Sequence, residues 1–219
     1  LLASLDLFCR TARGDIMIHI DLRPEPLDFD VRVRQPGNAF LSANPTPNSK
    51  QWSKNNFWSR CSLQLYQAYG GVCAYCGEWF SRTTAQVSVD HFYPKSSHQE
   101  KAYEWDNYRL TTQVMNGYKG DKIVLDPFEI KNGDLVLDFP SCLVKPRRDM
   151  TPAEKSKAKS TIQILHLNDE DQANRRLEIV MEYICGNISR AFLESKYPFI
   201  AEELDRQNLY DRIREIIKI

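Results

Sequence analysis

The chain has 219 residues, 42% of them hydrophobic, with Lys+Arg and Asp+Glu balanced at 29 each. That is enough apolar content to bury a substantial core. No apolar run approaches the roughly twenty residues of a membrane-spanning helix. Zero net charge is unlike a protein that holds nucleic acid unaided, because phosphate neutralisation dominates such affinity. A partner is therefore expected to supply part of any nucleic-acid surface. Six cysteines with one close pair do not make a secreted disulfide framework, and a reducing, cytoplasmic setting is expected.

In chain order, residues 1–16 precede the first methionine, Met17, and are too short and poorly flanked for a signal peptide. They are expected to be an upstream or non-native extension. Residues 17–50 form a proline-rich arm with Pro24, Pro26, Pro36, Pro45 and Pro47. Proline fixes φ and removes a donor, so the arm should run extended over the surface, as a structural strap or a partner-docking segment. It would be anchored by Phe29, Val31, Val33, Phe40 and Leu41. Asn56 to Tyr69 carries Phe57, Cys61 and Leu65 at helical spacing and ends at Gly70-Gly71, a helix-stop signal. Trp52 and Trp58 flank this helix as core residues or base-stacking surfaces.

Val72 to Asp90 reads as a β-hairpin, with VCAYCGEWF as one arm, Ser81 to Ala85 as the loop and QVSVD as the return. Ser96 to Lys101 is a polar loop with His98 in it, and Lys95 and Lys101 flank it as phosphate contacts or solvated side chains. Asp106 to Lys119 reads as a helix with Asp106 at its N-cap, leaving Asn107 and Asn116 at the edge of a site. Ile123 to Ile130 and Asp134 to Phe139 look like two strands around an Asn132-Gly133 turn. Residues 140–150 form a basic loop with Lys145, Arg147 and Arg148.

Beyond it the chain turns helical. Thr151-Pro152-Ala153-Glu154 combines a capping box with proline at the first helical position. A second helix, capped by Asn168 or Asp169, should run to about Ser195, and a third begins at Pro198. The apolar tail from Ile213 to Ile219 is the best single candidate for a partner-docking surface.

The chemistry concentrates between Cys73 and Asp121. His91 is a natural general base, since an imidazole titrates near working pH. Successive residues of a strand face opposite ways, so Asp90 can join His91 only if the strand ends or bends there. One carboxylate with carboxamides makes a sparse hard-oxygen site that suits Mg²⁺, with Mn²⁺ as a substitute.

The elements CAYC, VDHFYPKS, WDNYRL and NGYKGD together resemble the HNH endonuclease family, which implies a ββα-metal core over residues 51–140. The remaining boundaries follow as a helical C-terminal region at 141–219, in an α+β protein. The resemblance implies that Asp90 and Asn116 hold the metal. It further implies that His91 is the general base, Asn107 orients its ring, and Lys95 and Lys119 touch phosphate. Many HNH proteins hold a structural Zn²⁺ on two CxxC pairs. Here Cys73 and Cys76 form the first pair, but the second falls on Thr112 and Met115. Two thiolates leave a tetrahedral site incomplete. Either Cys61, Cys142 or His98 completes it or packing replaces it; zinc is expected to be absent, Met115 suiting a metal-free core.

RQPGNAFL, AYEWDNYRL, VLDPFEI and TIQILHLND narrow the resemblance to PtuB-like nucleases of Septu-type and retron-associated anti-phage systems. That branch implies a nucleic-acid substrate, DNA or RNA (tRNA included), and a PtuA-like ATPase partner. A retron reverse transcriptase with its non-coding RNA would join them in some systems. The rival from another class is a degraded zinc-knuckle module that binds nucleic acid or bridges proteins without cutting.

Overall fold

The computed structural model describes residues 19–217. The expectations for residues 1–16 and the last two residues lie outside that range. The chain folds as an α+β protein: two small antiparallel sheets carried among short helices.

The proline-rich segment is helical, against the extended arm expected. A π-turn at Asp30–Arg34 runs directly into α1 (Gln35–Ala43), and α2 (Ser49–Lys54) follows. Pro36 sits in the first turn of α1, where no backbone donor is required, so proline there favours the helix it was expected to break. Asn48 then starts α2 with a reciprocal capping box to Gln51. Phe29 and Val33 are fully buried, and Phe40 and Trp52 nearly so. Val31, expected as an anchor, is 67% exposed. The helix expected over Asn56 to Tyr69 is split into a 3-10 turn, Phe57–Cys61, and α3, Ser62–Ala68.

The first sheet differs from the expected hairpin. β1 (Val87–His91) pairs with β2 (Tyr108–Thr112), with Val87 opposite Thr112 and His91 opposite Tyr108. The Val72–Phe80 stretch keeps one bridge, Val72 to Trp79, around a tight knuckle. In that knuckle Gly77 adopts φ +66° and donates to the Cys73 carbonyl. Tyr108–Thr112 is a strand where a helix was expected, because its aromatic and β-branched side chains suit a half-buried pleat. The helix starts one element later: Thr112, not Asp106, caps α4 (Gln113–Lys119) by accepting from the Met115 N–H.

Strand alternation divides the molecule into two cores. Val89, Tyr108 and Leu110 face the N-terminal helices and pack with Phe29, Trp52 and Leu65. Cys73, Tyr75 and Met115 instead join a core with Leu135, Leu137 and the C-terminal helices.

The second sheet pairs β3 (Leu135–Asp138) with β4 (Leu143–Pro146), a strand inside the segment expected to be an irregular basic loop. Ile123 to Ile130 is not a strand: Asp126 turns the backbone there and holds Arg109 in a buried bidentate ion pair. Gly133 still needs its positive φ, +73°, but the turn leads into β3 from a loop. Two of the three basic side chains of 140–150 are paired, Lys145 with Asp138 and Arg147 with Asp134 and Asp149.

Thr151 and Glu154 form the expected capping box of α5 (Pro152–Ile164). α6 (Glu170–Ile184) stops about ten residues before Ser195, because Gly186 enters φ +79° and Ser189 caps a new helix, α7 (Arg190–Lys196). α8 (Pro198–Arg206) and α9 (Ile213–Ile216) complete the fold. Ile213 is 2% exposed and Ile216 and Ile217 pack on the same core, so the described part of the apolar tail is committed inward.

Candidate active site

The site lies where β1 ends between the two cores. Alternation turns Ser88 and Asp90 toward α4 and Val89 and His91 toward the aromatic side chains of the N-terminal half. A cavity of about 360 Å³ runs along that strand edge. Asp90, His91, Lys95, Asn116 and Asp121 all line it. The strand stops at His91, which lets side chains of opposite faces share one space.

The His91 imidazole is edge-on to Trp58 at 4.8 Å and to Tyr108 at 5.3 Å between ring centres. Its Nε2 lies 2.9 Å from the Ala102 carbonyl oxygen. A carbonyl only accepts, so Nε2 carries the hydrogen and Nδ1 keeps the lone pair. Burial, reinforced by the nearby Lys95 charge, pushes the His91 pKa down to about 3. The ring is therefore neutral across the physiological range, and in this state it is a weaker base than a free imidazole.

Asp90 is 3% exposed and accepts on Oδ2 from the Tyr75 hydroxyl and from the Lys119 ammonium at 3.2 Å. Burial raises its pKa, and Lys119 and Tyr75 only partly offset the rise. Lys119 is itself completely buried and also donates to the His91 carbonyl at 3.0 Å. It was expected to touch phosphate. Instead it is the internal counter-charge of Asp90, because its position in α4 aims the side chain under β1 and away from solvent.

Asn116 donates from Nδ2 to Ser88 Oγ at 2.6 Å, which leaves its carbonyl oxygen free of that bond. Asn107 does not touch the His91 ring. Its Oδ1 accepts from the Tyr93 N–H at 2.8 Å, and its Nδ2 donates to the carbonyls of Tyr93 and Lys101 at 3.1 and 3.0 Å. It thus ties both ends of the 93–101 loop, and reaches His91 through the backbone that presents the Ala102 carbonyl.

Asp121 was missed as a site residue. It lines the cavity and accepts from Ser96 Oγ at 2.7 Å, which pins the Lys95 loop to the end of α4. The signal was in the sequence: it is the last residue of NGYKGD, just past the Gly120 that ends the helix.

Asp90 and Asn116 line the same cavity, and their side-chain oxygens are the kind of hard donors a divalent cation takes, although Asp90 Oδ2 is already engaged by Tyr75 and Lys119. At the knuckle the positions of a second cysteine pair are taken up by other contacts. Cys73 contacts Thr111 Oγ1 at 3.5 Å, Thr112 is spent as a helix cap, and Met115 is buried among apolar side chains. Among the described residues no three His, Cys, Asp or Glu side chains gather to hold a metal, either at the knuckle or around Asp90. The Cys76 thiol donates to Cys73, which lowers the Cys73 pKa to about 6 and raises that of Cys76.

Fold and site together define an α+β protein with a buried acid–imidazole pair at the edge of a two-stranded sheet backed by one short helix. No protein-family model matches the chain. It is similar to the Septu protein PtuB of Bacillus thuringiensis, 25% identical over 125 residues, 54% of this chain and 46% of that protein. The chain thus spans about half the length of that curated relative. Among the described residues no helix is long and apolar enough to cross a membrane.

Proposed function

We propose that this chain is a metal-dependent endonuclease of the HNH type, acting as the effector of a Septu-type anti-phage system beside a PtuA-like ATPase. The observation that carries the reading is the cavity shared by Asp90, His91 and Asn116, with His91 Nε2–H held by the Ala102 carbonyl so that Nδ1 keeps its lone pair. The partial similarity to a Septu protein supports the defence setting.

Asp90 and the carbonyl oxygen of Asn116 would hold Mg²⁺ or Mn²⁺. A bound cation supplies positive charge against the phosphate oxygens and the leaving group as the bond breaks. His91 would take the proton of the attacking water on Nδ1 while the Ala102 carbonyl fixes the ring through Nε2–H. An anionic phosphate beside Lys95 would offset the charge that, with burial, holds the ring's pKa low. Asn107 maintains that carbonyl by clamping the loop before it. Lys95, the half-buried cation that lines the cavity beside Trp58, would meet the incoming phosphate. The balanced net charge suits a nuclease that works in a complex, with the ATPase (and, in a retron-associated system, a reverse transcriptase and its RNA) supplying further binding surface.

The test is cleavage of plasmid DNA and total RNA with Mg²⁺ or Mn²⁺, with and without the neighbouring ATPase, by the unaltered chain and by His91→Ala. The variant should keep the circular dichroism of the parent and lose at least about a hundredfold in rate, the usual value of a general base. Equal cleavage by both removes His91 from the chemistry. Silence of both in every mixture, with strand binding retained, replaces the nuclease with a non-catalytic nucleic-acid module.

A further inference from the structure

A second cavity, of about 480 Å³, adjoins the first, and Trp58, Lys95 and Asp121 line both. The two form one groove with Trp58 at the junction. On the far side the wall comes from the N-terminal helices: Ser49, Ser53 and Asn56 at the rim and Trp52 at the floor.

Trp58 is only half-buried. Its ring is braced by His91, by Tyr103 at 5.8 Å and by Trp52 at 6.2 Å. The Lys95 ammonium stands 5.4 Å over it. An ammonium resting on an indole marks a face that a planar, polarisable partner can take over. The groove thus pairs a braced aromatic platform with a lysine cation and hydroxyl and carboxamide groups, the combination that binds unpaired nucleotides. Bases held inside a duplex cannot reach a platform beside the phosphate; unstacked ones can.

We infer that this groove is a base-stacking subsite for the nucleotide next to the scissile phosphate, and that the chain acts on unpaired strands. The base lies on Trp58, Lys95 moves from the ring to a flanking phosphate, and Ser53 and Asn56 meet the polar edge of the base. The inference rests on the nuclease reading of the adjoining site. No group of the subsite is reserved for a 2′-hydroxyl, so DNA and RNA strands share this chemistry.

The probes are dodecamers of thymidine and uridine, the corresponding duplexes, and strands carrying one abasic residue at successive positions. Binding is read from tryptophan fluorescence in EDTA, independently of turnover, and cleavage is read separately with Mg²⁺. Single strands should quench the fluorescence, and duplexes and one abasic position should each bind about tenfold more weakly. Thymidine and uridine strands compared side by side reveal which nucleic acid is preferred. Ser53→Phe, which fills the groove away from Asp90 and His91, should make intact and abasic strands bind alike. Duplex binding equal to single-strand binding, or indifference to every abasic position, overturns the subsite using the unaltered chain alone. Strand discrimination without cleavage supports the subsite and defeats the nuclease reading; cleavage without base dependence does the reverse.

Discussion

Lys119 shows what a side chain's type leaves unsaid. A lysine one turn after Asn116 reads as a solvent-facing phosphate contact, yet its ammonium is sealed beneath β1 against Asp90. Lys119→Met should cost about 3–5 kcal/mol in urea unfolding, because Asp90 would remain buried without its counter-charge. Adding Asp90→Asn should recover part of the loss, and strictly additive costs would show that the two groups are not coupled. Glu78 makes a second case. Burial pushes its pKa up from 4.5 to about 7, and its Oε1 is shut away without a partner. A carboxyl whose pKa is raised by folding favours the fold when protonated. That contribution is complete below about pH 4.5 and is lost as pH rises through 7. Glu78→Gln should therefore be more stable than the parent at pH 8 by roughly 2 kcal/mol, the shift being discounted for partial exposure. At pH 4 the two should unfold alike; an equal difference at both pH values would deny the linkage. That Asp90, His91 and Asn116 line one cavity follows the spacing and family resemblance read in the sequence. Their burial and mutual charge balance were not legible there, because these depend on which face of α4 lies under the strand.

At the scale of elements, the arms of the first sheet were misassigned for a local reason. Val72–Phe80 has strand-like composition, but Gly77 and the two cysteines fold it into a knuckle, leaving Val87–His91 to pair with Tyr108–Thr112. Proline misled in the N-terminal segment, where Pro36 opens a helix. Caps were read more safely: Thr151 with Glu154 marks the start of α5, because a capping box is written within four residues and needs no tertiary context. The knuckle also makes a prediction. Its donors are too few for zinc, so EDTA should leave the thermal midpoint unchanged, and Cys73→Ser with Cys76→Ser should lower it equally with or without chelator. Stoichiometric zinc in the purified protein, with unfolding on its removal, would reverse that reading. The tie between α8 and β3 is a further test. Glu203, fully buried, accepts from the Leu137 N–H at 2.8 Å and from Arg206 and Gln207. Glu203→Ala should cost about 2–4 kcal/mol by leaving these donors unmet, whereas a loss under about 0.5 kcal/mol would mean that water replaces the carboxylate freely.

Across the whole molecule, the β1–β2 ribbon is shared property. One face completes a core with the N-terminal helices, and the knuckle and α4 complete another with the C-terminal ones. The stretch from 51 to 140, which the sequence sets apart as a catalytic unit, leaves Tyr75, Met115 and Leu135 uncovered if excised. A fragment of those residues should show no cooperative unfolding transition and no dispersed amide spectrum, and a sharp transition would show that the unit stands alone. The 93–101 loop shows the mechanical side of the same integration. One carboxamide, that of Asn107, grips its two ends, and the Ser96–Asp121 bond fastens its middle, so the loop is a frame from which the Lys95 side chain alone can swing. Whatever swing Lys95 makes to admit and release a strand is thereby kept out of the Ala102 carbonyl, and the histidine beneath does not feel the door move.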